Sequence, residues 1–211
     1  MPIMIRSISD AFARMSGMPI NSKGSKNLLK LSGIDTNSKQ YQAVMKRMNA
    51  SVGAGVGYTN PEAIKNLMKS YDKDGNYLDP VTGLAGLLVT DENIAQKHKI
   101  ISIPESSREE MYELTKREFL QNNGIQNGDT TKRGDVYNNL YKKMPMKDRL
   151  AAGNTLQQYE TAYRQTFIAT VKAAYPEWEL GKPFSSSLLD HVSREDIEKS
   201  LHNKSNIDLQ I

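Results

Sequence analysis

Apolar side chains recur every three or four residues along much of the C-terminal half of the chain. The longest such stripe consists of Leu156, Tyr159, Tyr163, Phe167, Val171 and Ala174. This spacing places the side chains on one face of an α-helix, whereas a strand would need alternate positions. Pro176 is expected to end the helix because proline lacks the amide hydrogen that would continue it. The stripe therefore predicts a chain built around amphipathic helices.

Shorter stripes with the same spacing predict further helices, each bounded by capping or stop residues. They occupy residues 21–33, 35–52, 60–71, 106–123, 135–144, 146–152 and 193–203. Gly33 and Gly153 are expected to stop helices, and Asn60 to cap one ahead of Pro61. Ser106 and Ser107 each precede a glutamate by three residues and read as overlapping capping boxes, and Asp135 is the expected cap of its helix.

The N-terminal segment has its own apolar face, made by Ile5, Ile8, Phe12 and Met15. We expect residues 1–20 to form an amphipathic helical arm that packs on the body of the protein or on a partner. Residues 21–205 are expected to form a single helical domain. The last residues, 206–211, are expected to be a frayed tail.

Two short stretches in the middle of the chain suit β-structure, namely Tyr77-Leu78 and Lys99 to Ile103. The second is rich in isoleucine, a β-branched residue that favours strands. The predicted fold is therefore mainly α, with about seven helices and a minor β element near residues 72–103.

Composition excludes several classes of site. The chain has no Cys and only three His among 211 residues, so thiolate metal centres, disulfides and cysteine nucleophiles are excluded and a histidine-rich site is disfavoured. No cofactor is expected. No run approaches the roughly 18 apolar residues of a membrane span. A soluble protein is predicted, cytoplasmic by default, since Arg6 and Arg14 interrupt any secretory signal; export without a cleaved signal stays open.

The charge is unevenly spread along the chain. Residues 1–70 carry ten Lys and Arg against three Asp and Glu, whereas residues 71–211 carry 18 against 21. A basic first third favours an acidic partner or self-association. Nucleic-acid binding is the less favoured alternative, because nucleic-acid binders usually cluster their basic residues more densely. It would use Lys23, Lys26, Lys30, Lys39, Lys46 and Arg47.

One string resembles part of a calcium loop. Asp72, Asp74 and Asn76 match the first three ligand positions of an EF-hand. Tyr77 stands where that loop needs glycine, and Gly83 where it needs a bidentate glutamate. A tight turn is the simpler interpretation, and the three residues are kept as a degenerate metal-site candidate.

No local motif supports catalysis or nucleotide binding. The glycines from Gly53 to Gly57 fail the dinucleotide spacing and follow a predicted helix. An enzyme would need a site assembled from distant residues, with Asp72, Asp74 or His98 as candidates. The tripeptide from Arg133 to Asp135 matches a cell-adhesion sequence, but three residues recur by chance.

Six strings carry a resemblance to a known family: Gly33 to Tyr41, Ser70 to Gly75, Asp79 to Gly86, Ile100 to Pro104, Asp129 to Arg133 and Asp148 to Gly153. With these strings, the chain resembles an uncharacterised family of low-GC Gram-positive bacteria, a domain of unknown function. The resemblance extends from about residue 21 onward. The resemblance implies a bacterial source and brings no activity or site residues.

The function favoured by the sequence is therefore a non-enzymatic protein-interaction or structural module. It would dock a protein partner or another copy of itself. The expected contact residues are Ile5, Ile8, Phe12, Met15, Lys39, Lys46 and Arg47.

Overall fold

The computed structural model describes residues 23–52, 60–126 and 131–208. The described chain is mainly helical, as predicted, with eight α-helices and two 3-10 helices, Met146–Asp148 and Ser186–Leu189. The α-helices are α1 (Lys23–Leu31), α2 (Lys39–Val52), α3 (Pro61–Met68), α4 (Ile94–Lys97), α5 (Glu105–Gln121), α6 (Thr131–Lys143), α7 (Arg149–Ala174) and α8 (Arg194–Asp208). The predicted arm at residues 1–20 lies outside the described residues.

Contacts group the chain into two compact units, Met1–Leu88 and Val89–Ile211. Each unit has its own apolar core. The boundaries expected from the sequence, with an arm at 1–20, one domain over 21–205 and a tail at 206–211, stay predictions.

The core of the first unit joins α1, α2 and α3. It contains buried Leu29, Ile34, Tyr41 and Ile64. Gly33 follows α1 with a positive φ of 77°, and the Ile34 amide donates to the Leu29 carbonyl at 2.9 Å. This is the glycine-ended helix that the sequence predicted, because glycine enters the left-handed region without a Cβ penalty.

The starts of α2 and α3 are both capped by side chains. Asn60 accepts a hydrogen bond from the Ala63 amide at 3.1 Å, which confirms the predicted cap before Pro61. Ser38 caps α2 by accepting from the Tyr41 amide at 3.2 Å. These caps satisfy amide groups that have no partner inside the helix.

The minor β element predicted near residues 72–103 is wrong. The described residues contain no strand, only isolated bridges between Tyr71 and Tyr77 and between Leu78 and Ala85. These bridges close two tight turns that follow α3. Between Lys99 and Ile103 no second strand of the described chain lies alongside, and the Ile101 amide instead donates to the Thr155 hydroxyl of α7 at 3.0 Å. A strand needs a paired neighbour, which local sequence cannot supply.

The second unit is built around α7, which packs against α4, α5, α6 and α8. The stripe predicted from the sequence is the buried face of α7, from Leu156 to Val171. Its Phe167 and Tyr163 meet α5 through Phe119 and Tyr112, with ring centroids 5.5 and 5.2 Å apart. Aromatic packing therefore forms much of this core.

The predicted helix stop at Gly153 is wrong. The segment expected to be a separate helix over residues 146–152 is instead a 3-10 turn leading directly into α7, which passes through Gly153. Gly153 is buried, and a Cβ atom there would lie 2.5 Å from the Tyr141 hydroxyl oxygen. A side chain at this position would press on Tyr141 of α6, so packing and not a turn accounts for the glycine.

Two predicted helix starts are also wrong. α5 begins at Glu105 after Pro104, so Ser106 and Ser107 lie inside its first turn and do not form capping boxes. α6 begins at Thr131, which places Asp135 within the helix and not at its cap. Proline fits the start of a helix because its missing amide costs nothing there. In contrast, three predicted helix ends are confirmed. α5 ends before Asn123-Gly124, α6 ends before Pro145, and α7 ends before Pro176.

No helix among residues 23–52, 60–126 and 131–208 combines the length and apolar character needed to cross a bilayer.

Candidate functional site

The degenerate calcium string forms a self-satisfied turn in the first unit. One carboxylate oxygen of Asp72 accepts from the Asp74 and Asn76 amides, both at 2.9 Å. The Asn76 side-chain amide donates to the same carboxylate at 3.0 Å. Burial opposes ionisation of Asp72, but these hydrogen bonds outweigh it and lower the pKa of Asp72. Asp72 therefore acts as the centre of its own turn.

This turn is held against the start of α2. The Gln40 side chain donates to the Tyr71 carbonyl at 2.7 Å, and Lys39 pairs with Asp74 at 3.5 Å. Gly75, with φ of 83°, approaches the Lys39 carbonyl so closely that a Cβ would lie 2.9 Å from it. The metal site at residues 72, 74 and 76 stays a prediction. The described residues contain no group of three or more His, Asp and Glu side chains placed to bind a metal ion.

The contact residues predicted from the sequence fall into two sets. Ile5, Ile8, Phe12 and Met15 lie outside the described residues. Lys39, Lys46 and Arg47 lie on α2. The Arg47 guanidinium lies 5.1 Å from the centre of the Tyr77 ring, and hydrogen bonds to Tyr71 and Tyr77 raise its pKa. Arg47 thus joins α2 to the turn, and an interaction role for these residues stays a prediction.

The second unit contains a buried charged cluster that the sequence did not predict. Arg133 of α6 binds Glu118 of α5 at 3.1 Å and Glu160 of α7 at 2.6 Å. Tyr137 donates to Glu160 at 3.4 Å, and burial, the Glu160 charge and that hydrogen bond all raise the tyrosine pKa. The cluster joins α5, α6 and α7. Arg133 of the adhesion-like tripeptide forms its ion pairs within this cluster.

A second cluster fixes the start of α8. Glu198, only 8% exposed, binds Arg108 at 3.0 Å and Arg194 at 3.3 Å. Tyr163 donates to the same carboxylate at 2.6 Å. Burial first, and then the Glu198 hydrogen bond and charge, raise the Tyr163 pKa. In both clusters every glutamate is paired with arginine, which is the arrangement of a structural support.

A groove opens on the surface of the second unit. It has a volume of about 350 Å³ and is lined by His98, Ile100, Asn154, Gln158 and Leu201. Its walls come from the residues after α4, from one face of α7 and from α8. His98, the histidine considered for catalysis, lies exposed at this groove.

Large apolar side chains stand exposed on this part of the unit. Ile100 is 54% exposed at the groove and Ile94 of α4 is 49% exposed. The three residues that directly precede Ile100 in the sequence are also exposed, namely Lys97, His98 and Lys99. The sequence signal that marks this place is the isoleucine-rich, strand-like stretch itself, which has no strand to pair with among the described residues.

The described residues are mainly helical and form one apolar core in each of the two units. A family model described as "Domain of unknown function (DUF3879)" matches residues 34–211. The chain therefore belongs to that family, a domain of unknown function as the resemblance predicted, while the bacterial source stays a prediction. Comparison with curated proteins and with solved structures gives no match.

Proposed function

We propose that this protein is a non-enzymatic interaction module that binds a protein partner at the groove beside Ile100. The observation that carries the proposal is a groove of about 350 Å³ with a half-exposed isoleucine at its wall. Exposed apolar side chains at a concave surface are typical of protein contact sites.

The charged clusters support the same conclusion. The buried carboxylates of Glu118 and Glu198 and the partly buried one of Glu160 are each held by arginine. Catalytic acids and bases need a carboxylate that faces a substrate, whereas these three face the helices they join. The groove, with its basic neighbours Lys97 and Lys99, is a surface feature of the second unit that these clusters do not explain.

The test is affinity capture with the full chain, tagged at its C-terminus, from its native cells and medium at low and moderate salt. Ile100→Glu places a charge at the groove, and Val81→Glu places the same charge on an exposed turn of the first unit. Thermal melts establish that both variants fold. We expect the wild type and Val81→Glu to retain one stoichiometric protein partner at both salt concentrations, and Ile100→Glu to lose it.

Three results would overturn the proposal. One is capture of no protein, and another is equal capture by Ile100→Glu. The third is capture of nucleic acid alone that is released at moderate salt, which would favour the basic first third of the chain.

A further inference from the structure

The stretch from Ile100 to Ile103 has the alternation of a β-strand although no strand among the described residues pairs with it. Ile101 packs against the core of the second unit and Ile103 is buried in it. Ile100 and Ser102 are exposed. Side chains that alternate between core and solvent are typical of an extended chain.

The backbone groups alternate in the same register. On one side, Lys99 O accepts from Asn154 at 3.3 Å and Ile101 N donates to Thr155 at 3.0 Å. Ile103 O accepts from Arg108 at 3.3 Å. In an extended chain, the N–H and C=O of one residue point to the same side, and successive residues point to opposite sides.

By this alternation, the backbone groups of Ile100 and Ser102 point to the other side of the stretch. Neither backbone N–H nor backbone C=O of these two residues has a hydrogen-bond partner in the part of the chain that the structure describes. The stretch therefore presents one strand edge, with its opposite edge fixed to α7 and α5. Such an edge pairs readily with another extended chain.

We propose that Ile100–Ser102 binds an extended, acidic segment of another protein by β-strand addition. This rests on the proposed function and specifies its partner and its binding mode. Main-chain hydrogen bonds to Ile100 and Ser102 supply the pairing, and the groove that Ile100 lines receives an apolar side chain of the added strand.

Charge selects the acidic partner. Lys97, His98 and Lys99 precede the edge, and none of their side chains has an ion-pair partner among the described residues. Acidic residues flanking the added strand would meet them, which favours encounter and fixes direction.

A second copy of this chain fits less well. If Ile100 of one copy paired antiparallel with Ser102 of the other, the pairing would end at Pro104, and the first acidic residue beyond it on the facing copy would be Glu105 of α5. That carboxylate already binds Arg194 at 2.8 Å, and the intervening Pro104 has no amide hydrogen to extend the pairing.

The experiment selects binders from a displayed library of random dodecapeptides on the immobilised full chain. We expect the enriched peptides to carry aspartate or glutamate beside β-branched or apolar residues. Hydrogen exchange of the chain with an enriched peptide should slow at the Ile100 and Ser102 amides at least tenfold. The Ile101 amide, already bonded to Thr155, should change little. Enrichment of peptides without acidic residues, no enrichment, or protection elsewhere would each overturn the proposal.

Matched variants then test the backbone contact. Ser102→Pro removes the outward amide, whereas Ser102→Ala keeps it. We expect Ser102→Pro to weaken binding of an enriched peptide at least tenfold and Ser102→Ala less than twofold, with Lys97→Glu and Lys99→Glu each weakening it severalfold. If Ser102→Pro fails to fold, the exchange pattern decides alone.

The two proposals can fail separately. If Ile100→Glu loses the captured partner while Ser102→Pro retains it, the interaction module stands and strand addition is wrong. If protection of Ile100 and Ser102 rises with protein concentration alone, self-pairing replaces the acidic peptide.

Discussion

Gly153 of α7 faces Tyr141 of α6 at a distance that leaves no room for a side chain. A Cβ atom at Gly153 would lie 2.5 Å from the Tyr141 hydroxyl oxygen and 3.1 Å from the nearest ring carbon. A glycine inside a helix normally costs about 1 kcal/mol relative to alanine. Here the missing side chain allows α6 and α7 to pack closely.

Gly153→Ala is therefore expected to destabilise the protein by about 1–3 kcal/mol, because the added methyl group overpacks the contact with Tyr141. Gly134→Ala is the matched control, since Gly134 lies in α6, is exposed, and a methyl group added there would meet no atom within 4 Å. That variant should be stabilised by about 0.5–1 kcal/mol. Urea unfolding measures both; a stable Gly153→Ala protein would show that the helices can separate at little cost.

Adding Tyr141→Phe to Gly153→Ala should recover part of the lost stability. The phenylalanine removes the oxygen nearest the new methyl group, while the ring carbon at 3.1 Å remains. A double-mutant cycle measures this coupling. If the two substitutions have strictly additive effects on the free energy of unfolding, the strain does not lie at the contact between residues 141 and 153.

Arg133 is expected to be the most sensitive charged residue. Arg133→Met removes the arginine that pairs with buried Glu118 and partly buried Glu160, and breaking a buried ion pair costs about 3–5 kcal/mol. Lys65→Met removes the lysine of an exposed pair with Glu62 and should change stability by less than about 0.5 kcal/mol. Denaturant unfolding of both variants gives the comparison, and a loss below about 1 kcal/mol at Arg133 would contradict the role assigned to the cluster.

Alkaline pH should destabilise the folded chain. Burial raises the pKa of Tyr163, and the Glu198 hydrogen bond adds to the effect. Above pH of about 10, an unfolded tyrosine loses its proton while Tyr163 keeps it in the folded chain. The unfolded state then binds fewer protons, so the free energy of unfolding falls as pH rises past about 10 and is unaffected by this group below it.

Tyr163→Phe should make that alkaline decline shallower and should cost about 1–2 kcal/mol at neutral pH through the lost hydrogen bond. Tyr175→Phe is the control, since Tyr175 is half exposed. Unfolding free energies measured from pH of about 8 to about 11 test the slope on either side of the ordinary tyrosine pKa. An unchanged slope in Tyr163→Phe would assign the decline to other groups.

Calcium up to millimolar concentration should leave the melting temperature unchanged. Asp72 already accepts hydrogen bonds from Asp74 and Asn76, and a cation would have to displace them. Asp72→Ala should lower stability by about 1 kcal/mol because these donors lose their acceptor. A calcium-induced rise of several degrees that Asp74→Ala abolishes would establish the metal site instead.

The sequence predicted those parts of the fold that depend on neighbouring residues. The stripe on α7, the glycine end of α1 and the Asn60 cap follow from helical spacing and from local hydrogen bonding. Asp72 could be recognised as a turn residue for the same reason. The strand-like stretch before Pro104 was also visible, but its sequence could not show that no second strand lies beside it among the residues that the structure describes.

Tertiary structure decided the rest, because the deciding partners are distant in the chain. Nothing near Gly153 reveals that Tyr141 occupies the space of its missing side chain. Arg133 lies 15 residues from Glu118, and only helix packing makes them a buried pair. The groove arises similarly, since the residues that follow α4 meet α7 and α8 only when the second unit folds. Periodicity and capping are local properties that the sequence determines by itself, whereas packing decides which surfaces close and which stay open.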